Sequence, residues 1–200
     1  MSQDDTGARP RHYSHAMMAL HWTTATLIVT VVVLSWVFPH GPARETSIEL
    51  LLHRSFGLTI LALTLVRVIV GRLTVAPAED ADVPWIEAAA ARVTHGLLYA
   101  ILLAMPVTGF LWTAARGDGV DVFGLFSIPP IMAPSDTLRG IVRLIHSAGQ
   151  YAVYAVVGLH ASAAVFHWVV RRDGVMARML PGADRLIRRV SLTSARPAAE

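Results

Sequence analysis

The chain contains neither cysteine nor lysine. Without cysteine there is no disulfide, no thiolate zinc or iron–sulfur site and no covalent cofactor attachment through C-x-x-C-H. Any redox chemistry must then run on a cofactor held by other ligands. Charge is scarce as well. Only 16% of the 200 residues are charged, whereas 54% are apolar and the mean hydropathy is +0.52; a soluble domain carries about a quarter charged residues. Four apolar stretches of about 20 residues, each able to cross a ~30 Å hydrocarbon core, would use about 80 to 100 positions. That leaves termini and three loops, with no room for a separate soluble domain. The expectation is one integral-membrane domain over residues 1–200, an all-α four-transmembrane-helix bundle.

The apolar runs place the spans at about 17–38, 48–70, 88–114 and 138–170, followed by a basic tail over 171–200. Pro39, Gly41 and Pro42 end the first run, and Gly71 with Arg72 ends the second. The first run is too long for a cleavable signal peptide and no small-x-small site follows it. Pro106 lies inside the third span, where it releases the carbonyl of Leu102 and calls for a neighbouring donor. The longest connection, Ala115 to Asp136, is rich in glycine and proline.

All 17 basic residues are arginine, and a calculated pI near 9.9 raises the question of nucleic acid. In so apolar a chain the excess reads instead as a topology signal. With four spans both termini share one side. Arg9, Arg11, Arg72, Arg92 and the seven arginines beyond Val170 fall there, against Arg44, Arg116, Arg139 and Arg143 opposite. The bias puts both termini in the cytoplasm. Val175, Met176, Met179 and Leu180, with the basic segment beyond them, suit the anionic inner leaflet equally well as a frayed tail.

Nine histidines are present. His12, His15 and His40 sit in polar flanks and read as solvated. His21, His53, His95, His146, His160 and His167 lie within spans, where ionisable groups are costly and face the bundle interior. His146 and His160 are 14 residues apart, only about 40° short of four full helical turns, so both leave one helix face about 21 Å apart. Two stacked sites follow, one per leaflet. His53 matches the depth of His146; His21, His95 and His167 all fall at the depth of His160. A haem b between two neutral imidazoles is six-coordinate, with no open position for oxygen, and suits one-electron transfer. Gly57, Gly149 and Gly158 flank these histidines and serve either close approach of a flat ring or helix packing. Arg54, Arg139 and Arg143 are candidate propionate partners for the outer haem, and Arg67 or Arg72 for the inner one.

The segments Leu20-His21-Trp22, Leu52-His53-Arg54-Ser55-Phe56-Gly57, Val66-Arg67, His95-Gly96-Leu97-Leu98-Tyr99, Ala104-Met105-Pro106-Val107-Thr108-Gly109 and Gly158-Leu159-His160 resemble those of the bacterial cytochrome b561 family. These are four-helix di-haem proteins of the cytoplasmic membrane. The resemblance runs from about Tyr13 to Pro181. It implies one haem between His53 and His146 and another between His21 and His160. His95 and His167 match positions that are not usually axial ligands, and fall near a cofactor edge or a quinone. Compact members move electrons between quinone and a donor at the other face, and some are similar to a superoxide oxidase that reduces ubiquinone. Arg116, Arg139 and Arg143 suit guidance of an anion, although Asp118, Asp121 and Asp136 lie in the same loop.

The primary expectation is therefore a carrier with two haem b and ubiquinone in the bacterial inner membrane. Its donor, superoxide being one candidate, lies on the periplasmic side. The second reading is the membrane-anchor cytochrome of a hydrogenase or dehydrogenase. A histidine-based proton or metal transporter is the third, and the absence of carboxylates from the middle of every span weighs against it.

Overall fold

The computed structural model describes residues 12–39, 41–77 and 83–180; His40 and the tail beyond residue 180 lie outside them. Four long helices, α1 (His15–Trp36), α2 (Ile48–Leu73), α3 (Trp85–Ala114) and α4 (Asp136–Phe166), are each long and apolar enough to cross a membrane. Three of them start at a serine. Ser14, Ser47 and Ser135 accept hydrogen bonds from the amides of Met17, Leu50 and Leu138, satisfying donors that the first helical turn leaves over. α3 starts three residues earlier than its apolar run suggests, because Pro84 stands at the N-cap and Glu87 complements the positive helix end. α3 continues through Pro106. α4 ends in a π-helical turn, His167–Arg171, closed by Arg172 in the left-handed region at φ 53°.

The helices pack in chain order, α1 on α2, α2 on α3 and α3 on α4, while α1 and α4 make no comparable contact among the described residues. Their seam is bridged by the indole N–H of Trp36, which donates to Tyr154 Oη at 2.9 Å. Among the described residues Met17, Met18, Leu50, Ile60 and Val142 are buried, but the most deeply buried side chains are small and polar. The largest side chains buried to below 2% exposure are Thr24, Thr64 and Ser55. Ser55 and Thr64 donate to the carbonyls of Leu51 and Ile60 within α2, as small hydroxyl residues at membrane helix interfaces do. Large apolar residues such as Val29, Ile69 and Leu144 are exposed, as a lipid-facing surface requires. Gly149 falls on the packing side of the two readings given to it, since an added Cβ would stand 2.5 Å from Met105 Sδ; Gly57 and Gly158 face open space.

Both described chain ends meet at one end of the bundle, termed here the terminal end. The Tyr13 amide donates to the Arg178 carbonyl at 3.1 Å, His12 Nδ1 to Ala177 at 2.9 Å and Trp22 Nε1 to Met179 at 2.8 Å. His12 is therefore not simply solvated: it ties the segment after α4 to the start of α1.

The opposite end carries an element that the glycine and proline content of the loop did not announce. β1 (Val120–Val122) and β2 (Phe126–Ile128) form an antiparallel hairpin with Val120 opposite Ile128 and Val122 opposite Phe126. Phe123 and Gly124 both have positive φ, 52° and 68°, and the Leu125 amide donates to the Val122 carbonyl at 2.9 Å. Two successive left-handed residues closed by that hydrogen bond make a tight turn over the three residues between the paired strand ends. Gly119 is required at the root, where a Cβ would stand 2.7 Å from the Ile128 carbonyl oxygen.

Candidate functional site

The two histidines of α4 each meet a partner from another helix. At the hairpin end the rings of His53 and His146 have centroids 6.3 Å apart and planes at 78°. At the terminal end His21 and His160 stand 6.1 Å apart at 72°. Either pair would hold one metal-centred group shared between its two imidazoles. His95 also lies against His160, at 5.4 Å.

The hairpin-end pair is set by main-chain hydrogen bonds. His53 Nδ1 lies 3.0 Å from the Val31 carbonyl of α1, and His146 Nδ1 lies 3.1 Å from the Met105 carbonyl of α3. A carbonyl can only accept, so each ring carries its proton on Nδ1 and leaves Nε2 with a bare lone pair, the tautomer a metal ligand needs. Thr108 Oγ1 donates to the Met105 carbonyl at 2.9 Å and lies 3.1 Å from His146 Nδ1, as a second acceptor for the same proton. Gly109 completes the seat: a Cβ there would stand 3.0 Å from His146 Cε1. Thr108 and Gly109 follow Pro106 by two and three residues. Their adjacency to that break in the ladder was the available signal for roles that pattern reading did not assign.

Between these two rings lies a cavity of about 470 Å³, walled by residues of all four helices, among them Ile28, Gly57, Leu102 and Tyr154. That is within the range of a small-molecule site. Its rim includes Arg44, Glu45, Arg54, Arg116 and Arg143. Arg54 is paired with Glu45 at 3.4 Å, and Arg116 with Glu45 at 2.6 Å and Asp118 at 2.9 Å. The hydrogen bond from Arg116, with the charges of Arg116, Arg54 and Arg44, holds the Glu45 carboxyl below its ordinary 4.5 against the opposing effect of burial. The same bond pushes the Arg116 guanidinium above its ordinary value. Arg44 stacks over Phe38 at 4.7 Å, and Phe38 meets the His53 ring at 5.2 Å.

The terminal-end group is built differently. His21 Nδ1, Thr24 Oγ1 and Arg67 Nε are buried without a hydrogen-bond partner among the described residues. Arg67 lies over the Tyr99 ring at 5.7 Å, and its charge reaches His21, His95 and His160. His167 stands apart from this group: its Nδ1 donates to Asp173 Oδ2 at 2.6 Å. Asp173 also pairs with Arg171 at 3.7 Å, and Arg171 reaches Glu87 at the start of α3. Among the described residues no cluster of three or more His, Asp or Glu side chains forms a metal-holding group.

The donor set, neutral imidazoles in pairs with an apolar cavity and small residues between them, fits a flat metal-centred cofactor. Buried polar atoms left without partners at the terminal end fit one as well. Comparison with known proteins points to a family that uses b-type haem. The family model for prokaryotic cytochrome b561 matches residues 12–182. The chain is 27% identical over 177 residues, 84% of its length and 97% of the relative's, to cytochrome b561 homolog 1 of Escherichia coli K12. It is 28% identical over 176 residues, 86% of its length and 97% of the relative's, to the probable superoxide oxidase CybB of Yersinia pestis. Cytochrome b561 homolog 2 of Escherichia coli K12 is 25% identical over 179 residues, 86% of this chain and 92% of the relative. Four spans, paired imidazoles and a family match over nearly the whole chain make this protein a member of the prokaryotic cytochrome b561 family, membrane proteins that transfer electrons through b-type haem.

Proposed function

We propose that the protein is a di-haem electron carrier of the bacterial inner membrane, passing electrons between a periplasmic-side donor and ubiquinone. His53 and His146 would hold one haem b, and His21 and His160 the other. The observation that carries this reading is the repeated spacing: two imidazole pairs with centroids 6.3 Å and 6.1 Å apart, stacked along one face of α4. Haem b held by two imidazoles supplies one-electron transfer with no open site for oxygen. The chain's own residues hold the tautomers of His53 and His146, line the cavity and place cations at its rim. Arg54 and Arg143, which line the hairpin-end cavity, and Arg67 at the terminal end are suited to anionic propionates. The arginine bias supports cytoplasmic termini, which puts the hairpin end on the periplasmic side.

His95 and His167 lie at the terminal end, where a quinone headgroup would meet hydrogen-bonding imidazoles. Superoxide is supported as donor by the name of the Yersinia pestis relative. The steering field that such a donor favours is weaker than three free arginines would give. Arg116 is neutralised by Glu45 and Asp118, and Arg139 is paired with Asp136 at 3.5 Å. Arg44 and Arg143 at the cavity rim are left as the attractors.

A reduced-minus-oxidised spectrum with a haem count tests the core of the reading. Two low-spin b haems per chain are expected. Replacing His146 should remove one and leave the other, and replacing His160 should do the converse. Identical spectra from the two variants would rule out separate sites. Anaerobic mixing with superoxide, following haem reduction with and without ubiquinone, tests the donor and the acceptor.

A further inference from the structure

The hairpin between α3 and α4 does not stand clear of the bundle. The Phe123 amide donates to Ser55 Oγ at 2.8 Å, the Phe123 ring meets Phe56 at 5.3 Å, and Ser55 is fully buried beneath the contact. Ser55 is seven residues into α2, about 10 Å below the start of that helix. The turn therefore hangs down the side of α2 instead of rising over its end. α2 has 26 residues and is about 39 Å long, so centring it on a ~30 Å core puts Ser55 about 6 Å inside the hydrocarbon boundary.

Asp121 shares that depth, its carbonyl 3.5 Å from Ser55 Oγ, while the large side chains of the turn itself are apolar and uncovered. Leu125 is 81% exposed and Phe126 60%. From Val122 to Ser135 the chain carries no charged residue. The nearest charge is Asp121. It lies on the exposed face of β1 opposite Ser127, while Val120 and Val122 face the bundle. Phe123 is held at φ 52°, a conformation bulky L-residues avoid, and two contacts with α2 fix it there. Such strain is kept where the position of the tip matters.

We propose that the Phe123–Phe126 turn is an interfacial membrane anchor, with Leu125 and Phe126 seated at the acyl-chain boundary of the leaflet at the hairpin end. Lipid is favoured over a soluble protein partner by depth and by charge. The tip lies below the end of a membrane-spanning helix, and the stretch that follows it lacks the polar rim a protein interface carries. The anchor has a structural consequence for the haem reading without depending on it. Val120, at the hairpin root, lines the cavity between His53 and His146, so a tip fixed in lipid holds one wall of that cavity.

The absence of cysteine makes the test clean, because Leu125→Cys or Phe126→Cys creates a single labelling position. Each full-length, haem-loaded variant would carry a nitroxide and be reconstituted in phosphatidylethanolamine–phosphatidylglycerol vesicles. Asp136→Cys, at a fully exposed side chain, serves as the aqueous reference. The expected result is a ratio of oxygen to nickel-chelate accessibility several-fold higher at 125 and 126 than at 136. A label at 125 as open to the nickel chelate as the reference would put the tip in water and overturn the proposal. A label shielded from both reagents would mean protein packing, and would overturn it equally. Neither outcome depends on which histidines hold haem.

Discussion

At the hairpin end both imidazoles are tied through Nδ1 to main-chain carbonyls, Val31 for His53 and Met105 for His146. At the terminal end His21 Nδ1 is buried with no partner among the described residues, and His160 has a third imidazole, His95, against it at 5.4 Å. The spacing within the two pairs is nearly the same, so spacing alone says little about how each is held. One pair is oriented by the backbone, which cannot rotate away. The other is oriented by side-chain packing around a half-buried cation, Arg67. The first is therefore sensitive to shape, and the second to charge.

Removing a proposed ligand should give the largest effect and break the comparison cleanly. His53→Ala or His146→Ala should lower the haem count from two per chain to one, and His21→Ala or His160→Ala should remove the other. His95→Ala should keep both, and loss of a haem there would reassign the terminal-end pair. Next in size is Gly109→Ala. Its new methyl would stand 3.0 Å from His146 Cε1, forcing the ring or the helix to move. Haem affinity at the hairpin end should fall about 10- to 100-fold, the usual cost of disturbing a ligand's support. The terminal end should be unaffected, as partial haem extraction followed by spectroscopy would show. Thr108→Val should do less, because the Met105 carbonyl remains as acceptor.

Arg67→Gln sharpens the electrostatic side of the contrast. A fixed cation disfavours the more positive ferric state, so losing it should lower the midpoint potential at the terminal end and leave the hairpin end nearly unchanged. Redox titration followed at the two haem spectra reads this directly. Equal shifts at both ends would show that Arg67 acts through the fold and not through its local field.

The difference between the two ends also explains what could be read from the residues alone. Four spans follow from hydropathy, and the stacked histidines from the 14-residue interval along α4, because both are periodic properties of single helices. The partners of those histidines are a matter of depth, and depth left His21, His95 and His167 open at one end until the family resemblance entered. Carbonyl acceptors such as Val31 have no sequence signature at all, since every residue carries one. The hairpin was hidden for another reason: its turn puts a phenylalanine in the left-handed region, where pattern rules look for asparagine or aspartate. What fixes Phe123 there is Ser55, 68 residues away, a tertiary contact that no local window contains.

The smallest expected effect tests whether the hairpin end is as robust as its backbone ties imply. Glu45 joins Arg54 and Arg116 above the cavity, and its carboxyl sits below its ordinary 4.5 because of them. A carboxyl depressed on folding adds stability above its unfolded value and loses it as pH falls through the folded one. The network should therefore leave the hairpin-end spectrum unchanged between neutral pH and 4.5 and loosen only in stronger acid. Partly exposed ion pairs contribute about 0–1 kcal/mol each, so Glu45→Gln should shift the thermal midpoint by only a few degrees. It should also remove the acid-dependent part of the transition. A large loss of hairpin-end haem in this variant at neutral pH would show that the arginine–glutamate rim, and not the two carbonyls, holds the site together.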